Sequence, residues 1–166
     1  MASLNVPVPG AVRREIEALR PRLTDFEAVR ETPTLVLKRF DGERSTHAIE
    51  SEVRHAVADT GPFDVRLAGL ETFEDPVAGP GPVLYLAIES PGLRRLHRRL
   101  IDRFGAVDGL EGEAYVPHIT VARGGDVAGL AELTEASVAP VEWSVAELWV
   151  WDPHRAERLG RIELST

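Results

Sequence analysis

The sequence predicts a bilobal α+β fold: two mainly antiparallel sheets around a central cleft, related by a pseudo-twofold axis, with helices on the outside. Three observations predict it. Strand-like and helix-like segments alternate along the 166 residues, one stretch of the chain repeats another, and the closing segment reads as a pair of strands. A chain of this length is near the usual size of one domain, and residues 1–166 are expected to form a single one made of two similar lobes.

The elements follow in order. Leu4 to Val8 is a short extended segment. Behind Pro9-Gly10, Val12, Ile16, Leu19 and Leu23 recur at helical spacing, so strand passes into helix. Thr34-Leu35-Val36-Leu37 is β-branched and apolar enough for a buried strand. The Asp41-Gly42 turn and a helix opened by Ser45 or Thr46 come next, with Ile49, Val53, Ala56 and Val57 inward. Phe63, Val65 and Leu67 alternate as a strand does. After the Pro/Gly-rich loop from Asp75 to Pro82, Val83 to Ile88 is a strand, and Leu93, Leu96, Leu100 and Phe104 mark a helix stopped by Gly105. Tyr115 to Arg123 is extended, and Asp126 caps a short helix through Leu133. Val141 to Trp151 and Arg158 to Leu164 form the closing antiparallel pair.

The repeat lies between Leu4-Asn5-Val6-Pro7-Val8-Pro9-Gly10 and Leu84-Tyr85-Leu86-Ala87-Ile88-Glu89-Ser90-Pro91-Gly92, each leading into an arginine-rich amphipathic helix. Thr34 follows Gly10 by 24 residues and Thr120 follows Gly92 by 28, each in a β-branched strand just after a proline. This pairs Thr32-Pro33-Thr34-Leu35 with His118-Ile119-Thr120-Val121. The strands bearing Thr34 and Thr120 are then expected to line the cleft between the lobes.

Composition excludes several classes. No stretch approaches the ~18 apolar residues of a membrane span, and Met1 to Pro7 has neither a basic head nor a long apolar run, so a cytoplasmic protein is expected. Absence of cysteine removes disulfides and thiolate chemistry. The five histidines, at 47, 55, 97, 118 and 154, show no metal-ligand spacing, so neither metal nor cofactor is expected. A formal charge of −8 argues against a broad nucleic-acid surface, which runs on basic residues displacing counterions; any RNA contact should be local.

The candidate chemistry sits at His118 and Thr120. Strand side chains alternate faces, so these two point one way while Ile119 and Val121 point to the core. An imidazole gives or takes a proton near neutral pH, and a threonine hydroxyl can hold a phosphoryl oxygen; together they suit phosphodiester chemistry.

Tyr115-Val116-Pro117-His118-Ile119-Thr120-Val121-Ala122-Arg123 resembles the second His-x-Thr signature of the two-histidine phosphoesterase superfamily, which includes 2′-5′ RNA ligases and 2′,3′-cyclic-nucleotide phosphodiesterases. The order of elements along nearly the whole chain, including the Phe63 to Phe73 strand with its Gly69-Leu70 step, is similar to that family's. The resemblance implies His118 as acid or base, Thr120 and Thr34 as phosphate holders, and a metal-free, ATP-free reaction. Its implied partner is an RNA end or a small nucleotide carrying a cyclic phosphate, met by a monomer without DNA or membrane. This chain departs from the family where the first histidine should stand: it has Thr32, or Pro33 if the register slips by one. A threonine hydroxyl is no acid or base near pH 7, and losing one such catalyst costs ~10²–10⁴-fold in rate. The alternative is a lapsed relative that binds a nucleotide or RNA end without turning it over.

The remaining candidates have plainer readings beside them. Tyr115 is a base-stacking residue or core or rim packing at the start of a strand. Arg123 has the wrong parity to join His118 unless a bulge swings it into the cleft, where it would suit a phosphate. Trp149 and Trp151 share a face and make either a stacking platform or, the favoured reading, packing between hairpin and helix. The arginines at 94, 95, 98 and 99 read as a solvated helix face, His97 and His55 as exposed helix residues, and His154 as part of a turn. His47, a conceivable substitute for the missing histidine, belongs on the exposed first turn of the second helix.

Overall fold

The computed structural model describes residues 1–166. The strands are β1 (Ser3–Val6), β2 (Ala28–Val29), β3 (Leu35–Arg39), β4 (Phe63–Phe73), β5 (Val83–Glu89), β6 (His118–Arg123), β7 (Glu142–Val145), β8 (Glu147–Asp152) and β9 (Glu157–Glu163). The helices are α1 (Gly10–Leu19), α2 (Thr46–Ala56), α3 (Pro91–Phe104) and the short α4 (Leu130–Thr134). No helix is long and apolar enough to cross a membrane.

Helix starts follow the local chemistry. Ser45 Oγ accepts the Ala48 N–H at 3.1 Å to open α2, and Ser90 Oγ accepts the Leu93 N–H at 3.1 Å to open α3, with Pro91 pre-set for its first turn. Gly105, at φ 81°, ends α3 where a side chain would be strained. Val12, Ile16 and Leu19 of α1, Ile49 and Val53 of α2, and Leu93, Leu96 and Leu100 of α3 join one core with Leu4, Leu35, Leu37, Leu84, Leu86, Ile119 and Val121 of the strands. Along β3 and β6 the residues that alternate with these core positions line the cleft, which therefore lies on the opposite face of the sheet.

All strand pairs are antiparallel, in the order β7-β4-β5-β6-β3-β1-β8-β9, with β2 added on β6. The two halves meet at a single pair between β3 and β6, Leu35 with Ile119. Read outward from that seam the halves match: β6 with β3, β5 with β1, β4 with β8, β7 with β9. The ladders match too. Leu84 pairs Ala122 and Tyr85 pairs Thr120, as Leu4 pairs Lys38 and Asn5 pairs Val36. Each central strand therefore carries a bulge, at Val121 in β6 and at Leu37 in β3.

Three expectations change. The repeat is present, yet its second part is offset by two residues: Thr34-Leu35-Val36, rather than Thr32-Pro33-Thr34, is equivalent to His118-Ile119-Thr120. The segment Val141 to Trp151 is not one strand of a closing hairpin. It breaks at Ala146, so β7 pairs with β4 in one half while β8 pairs with β1 and β9 in the other. The helix expected from Asp126 is shorter, opening after Gly129, whose φ of 74° is not helical. Ala28–Val29 is a strand of two residues too brief to leave a periodic signal.

Candidate active site

The cleft lies across the seam, where Thr34 just before β3, Val36 and Arg39 of β3, and His118 and Thr120 of β6 line one cavity of ≈ 370 Å³ with Thr32 and Trp151. A neighbouring cavity of ≈ 240 Å³ shares Arg30, Arg39, His118 and Thr120 with it and runs on past Phe73 and Arg123 under the Asp75 to Ala78 loop. His118 thus stands at the junction of two connected hollows. Its ring is half-buried and open to both.

The imidazole is fixed. Nδ1 lies 2.6 Å from the Val116 carbonyl oxygen. A carbonyl only accepts, so Nδ1 carries the proton and the neutral ring keeps its lone pair on Nε2. Phe73 and Tyr85, stacked on each other at 4.1 Å, meet the imidazole edge-on at 5.3 and 5.4 Å and restrict its tilt. Desolvation holds the His118 pKa below the ordinary histidine value; the Val116 bond opposes that, and Arg39, Arg30 and Arg123 reinforce it. Burial thus favours the neutral imidazole.

Of the residues the sequence singled out, Thr32, Thr34, His118 and Thr120 share the first cavity and Arg123 lines the second. The bulge at Val121 is what turns Arg123 to the cleft face, where its Nη2 donates to Ala78 O at 2.9 Å while its buried Nε has no partner. Tyr115 is a correction. The residue is 6% exposed, its ring is stacked on His97 at 3.7 Å, and its hydroxyl donates to Val36 O at 2.7 Å, so it packs in the core behind β3 rather than against a base. His97 is a second correction: 2% exposed, its Nδ1 at 2.8 Å from Leu37 O and its Nε2 accepting the Gly112 N–H at 3.1 Å. It lies in the buried stripe of α3, with Leu93, Leu96 and Leu100.

Trp151 also differs from expectation. Leu148, Val150 and Ile162 fill the core under the closing hairpin, whereas Trp151 lines the cleft, with Trp149 parallel to it at 6.3 Å and the Arg158 guanidinium over Trp149. By the ladder equivalence Trp151, paired with Ser3, matches Phe73, paired with Val83, so each half gives one aromatic wall. His47 is exposed on α2 and, like His154, does not line the cleft; His118 is the one histidine there.

Sequence reasoning missed Arg39 and Arg30. Arg39 has the parity of core residues Leu35 and Leu37, and only the bulge at Leu37 brings it to the cleft. A signal existed in the spacing: Arg39 follows Thr34 as Arg123 follows His118. Behind Arg39, Glu111 is fully buried; its carboxylate accepts from Arg39 N at 2.7 Å, Val107 N at 2.9 Å and Lys38 Nζ at 2.6 Å. That knot pins the end of β3 from the core side.

The sequence and the fold match known proteins. The sequence profile of the 2′-5′ RNA ligase superfamily matches residues 8–157. Among solved structures, TT0787 of Thermus thermophilus is 22% identical, with a TM-score of 0.66 over 98% of this chain and 97% of its own. Escherichia coli LigT complexed with 3′-AMP is 19% identical, with a TM-score of 0.67 over 99% and 98%. A structure described as a phosphoesterase is 22% identical, with a TM-score of 0.62 over 99% and 98%. No curated protein sequence matches. Identities this low speak for the fold alone, a mixed α+β architecture with a curled antiparallel sheet. The profile spans most of the sequence and includes both central strands, so this chain belongs to the 2′-5′ RNA ligase superfamily of two-histidine phosphoesterases.

Proposed function

We propose that this protein acts on the 2′,3′-cyclic phosphate or 2′-5′ phosphodiester of an RNA end or small nucleotide, with His118 as its one proton carrier. The observation that carries the reading is the orientation of His118, whose Nδ1 is committed to Val116 and whose Nε2 is left for the cleft. In this reading Nε2 takes the proton of the attacking hydroxyl, water for hydrolysis or a ribose hydroxyl for transfer. Thr120 and Thr34 hold phosphoryl oxygens through their hydroxyls, with Thr32 beside them, and the Arg123 guanidinium faces the charge that develops on those oxygens. Phe73 and Trp151 supply apolar walls for a nucleoside on either side.

The leaving oxygen has no second imidazole to protonate it. Thr34 occupies the position equivalent to His118, so this proton comes from water at a cost of ~10²–10⁴-fold relative to a two-histidine site. A specific observation also favours a second reading, a nucleotide- or RNA-end-binding protein without turnover: Val36 stands opposite in equivalence to Thr120, so the first motif lacks both the imidazole and the hydroxyl. Incubation with 2′,3′-cyclic AMP, and with a short RNA ending in a cyclic phosphate, decides between them. Turnover that vanishes in His118→Ala supports the first reading; binding without turnover by either protein supports the second; neither binding nor turnover removes both.

A further inference from the structure

The cleft holds more positive charge than a cyclic phosphodiester can neutralise. Arg30, Arg39 and Arg123 line it from the turn after β2, the end of β3 and the end of β6, and all three share a cavity with His118, whose protonated form they disfavour. None of the three guanidinium groups forms an ion pair, although arginines elsewhere on this acidic chain pair repeatedly with glutamate or aspartate. The acidic residues that line the cleft, Glu31 and Asp75, are exposed at its rim and bind none of them. The buried Nε of Arg123 has no partner at all. Partial desolvation, and then repulsion from Arg123, lower the pKa of Arg30, which marks how closely like charges are gathered.

Charges gathered in this way are unfavourable until an anion arrives, and the charge of the anion matters. A cyclic phosphodiester or a 2′-5′ diester carries one negative charge. A phosphomonoester carries nearly two at pH 7, with a third oxygen to accept hydrogen bonds, because its second pKa is about 6. Arg39 is the additional cation. It is held at its backbone by the buried Glu111 carboxylate, turned inward by the bulge at Leu37, and stands at the position equivalent to Arg123 across the seam. We infer that the cleft prefers a nucleotide ending in a 2′- or 3′-phosphomonoester over the cyclic diester, and that Arg39 sets this preference. The inference rests on the cleft being a nucleotide phosphate site. If turnover occurs, its monoester product then stays bound and inhibits.

Titration calorimetry at about pH 8, where the monoester is fully dianionic, tests it with 2′-AMP, 3′-AMP and 2′,3′-cyclic AMP against the wild-type chain, Arg39→Gln and Arg39→Lys. The expected result is that a monoester binds wild type about ten-fold or more tighter than the cyclic diester, the scale of one charge-assisted hydrogen bond. Arg39→Gln should lose most of that ratio, weakening the monoesters far more than the cyclic diester, and Arg39→Lys, which keeps the charge, should retain much of it. Equal affinities in wild type, or a uniform loss for all three ligands in Arg39→Gln, overturn the preference and leave the phosphate site standing. Absence of binding by every nucleotide overturns both. A thermal melt of each variant separates loss of preference from loss of fold.

Discussion

Leu35 of β3 and Ile119 of β6 form the single pair that joins the two halves of the sheet, and both side chains are fully buried. A pseudo-twofold axis through that pair makes Thr34 the counterpart of His118 and Val36 the counterpart of Thr120. The matching bulges carry the relation on to Arg39 and Arg123. The seam thus fixes which residue of the first half answers each residue of the second. It places the missing imidazole two residues later than the spacing of prolines and threonines suggests.

That register is testable by restoring the imidazole. Thr34→His should raise kcat on 2′,3′-cyclic AMP by about 10²-fold or more, by supplying an acid for the leaving oxygen, and Val36→Thr added to it should lower KM. Thr32→His should raise nothing, because its side chain is displaced from the symmetric position. A gain from Thr32→His with none from Thr34→His would contradict the assignment.

Much of this site was legible in the sequence because its determinants are local. His118-Ile119-Thr120 needs only strand alternation to put two polar groups on one face, and the Pro-Gly entries to α1 and α3 betray the repeat. The positions that were not legible depend on bulges or on tertiary burial. Arg39 reaches the cleft through the one-residue slip at Leu37, which no periodicity encodes, and the two-residue offset of the repeat is set by the long-range pairing of Leu35 with Ile119. Tyr115 could stack on a base or pack in core or rim, and His97 looks like a surface residue, until their mutual stacking and their bonds to Val36 and Leu37 carbonyls are seen. The break at Ala146, with β7 and β8 in opposite halves, follows from sheet pairing over long separations.

Glu111 should prove essential to stability. It is fully buried, and Glu111→Ala would leave Lys38 as an unpaired charge in the core and free the backbone N–H groups of Arg39 and Val107. Breaking such a pair costs about 3–5 kcal/mol. Urea denaturation should show that loss, and adding Lys38→Met to Glu111→Ala should recover part of it. A variant as stable as wild type would mean that the buried pair does not form.

Tyr115→Phe separates a core role from a ligand role. The deleted hydroxyl leaves the Val36 carbonyl short of a donor, a loss of about 1–3 kcal/mol. The ring, its stacking on His97 and the cleft all remain, so KM for any nucleotide that is turned over, or Kd for one that is only bound, should stay within two-fold of wild type, an energy of about 0.4 kcal/mol. A large rise in KM or Kd with unchanged stability would return Tyr115 to the ligand.

Acid should weaken the fold through His97 and His118 together. Burial is the leading cause that lowers both pKa values below the unfolded histidine value of about 6.5. Between that value and the depressed folded ones, the unfolded chain binds protons that the folded chain refuses, so stability rises with pH across this window. The contribution is complete above about pH 6.5 and is lost as pH falls toward the folded values. His97 bears the structural share, because a proton on Nε2 would face the Gly112 N–H that it now accepts. Unfolding free energies measured from pH 7.5 down to 5 should therefore slope downward in wild type and less steeply in His97→Gln, where only the His118 share remains. The same depression governs catalysis. If His118 is the base, kcat/KM reports its free-enzyme pKa, and the acid limb of the profile should fall below pH 6.5; a limb at or above 6.5 would show that His118 titrates as an ordinary exposed histidine.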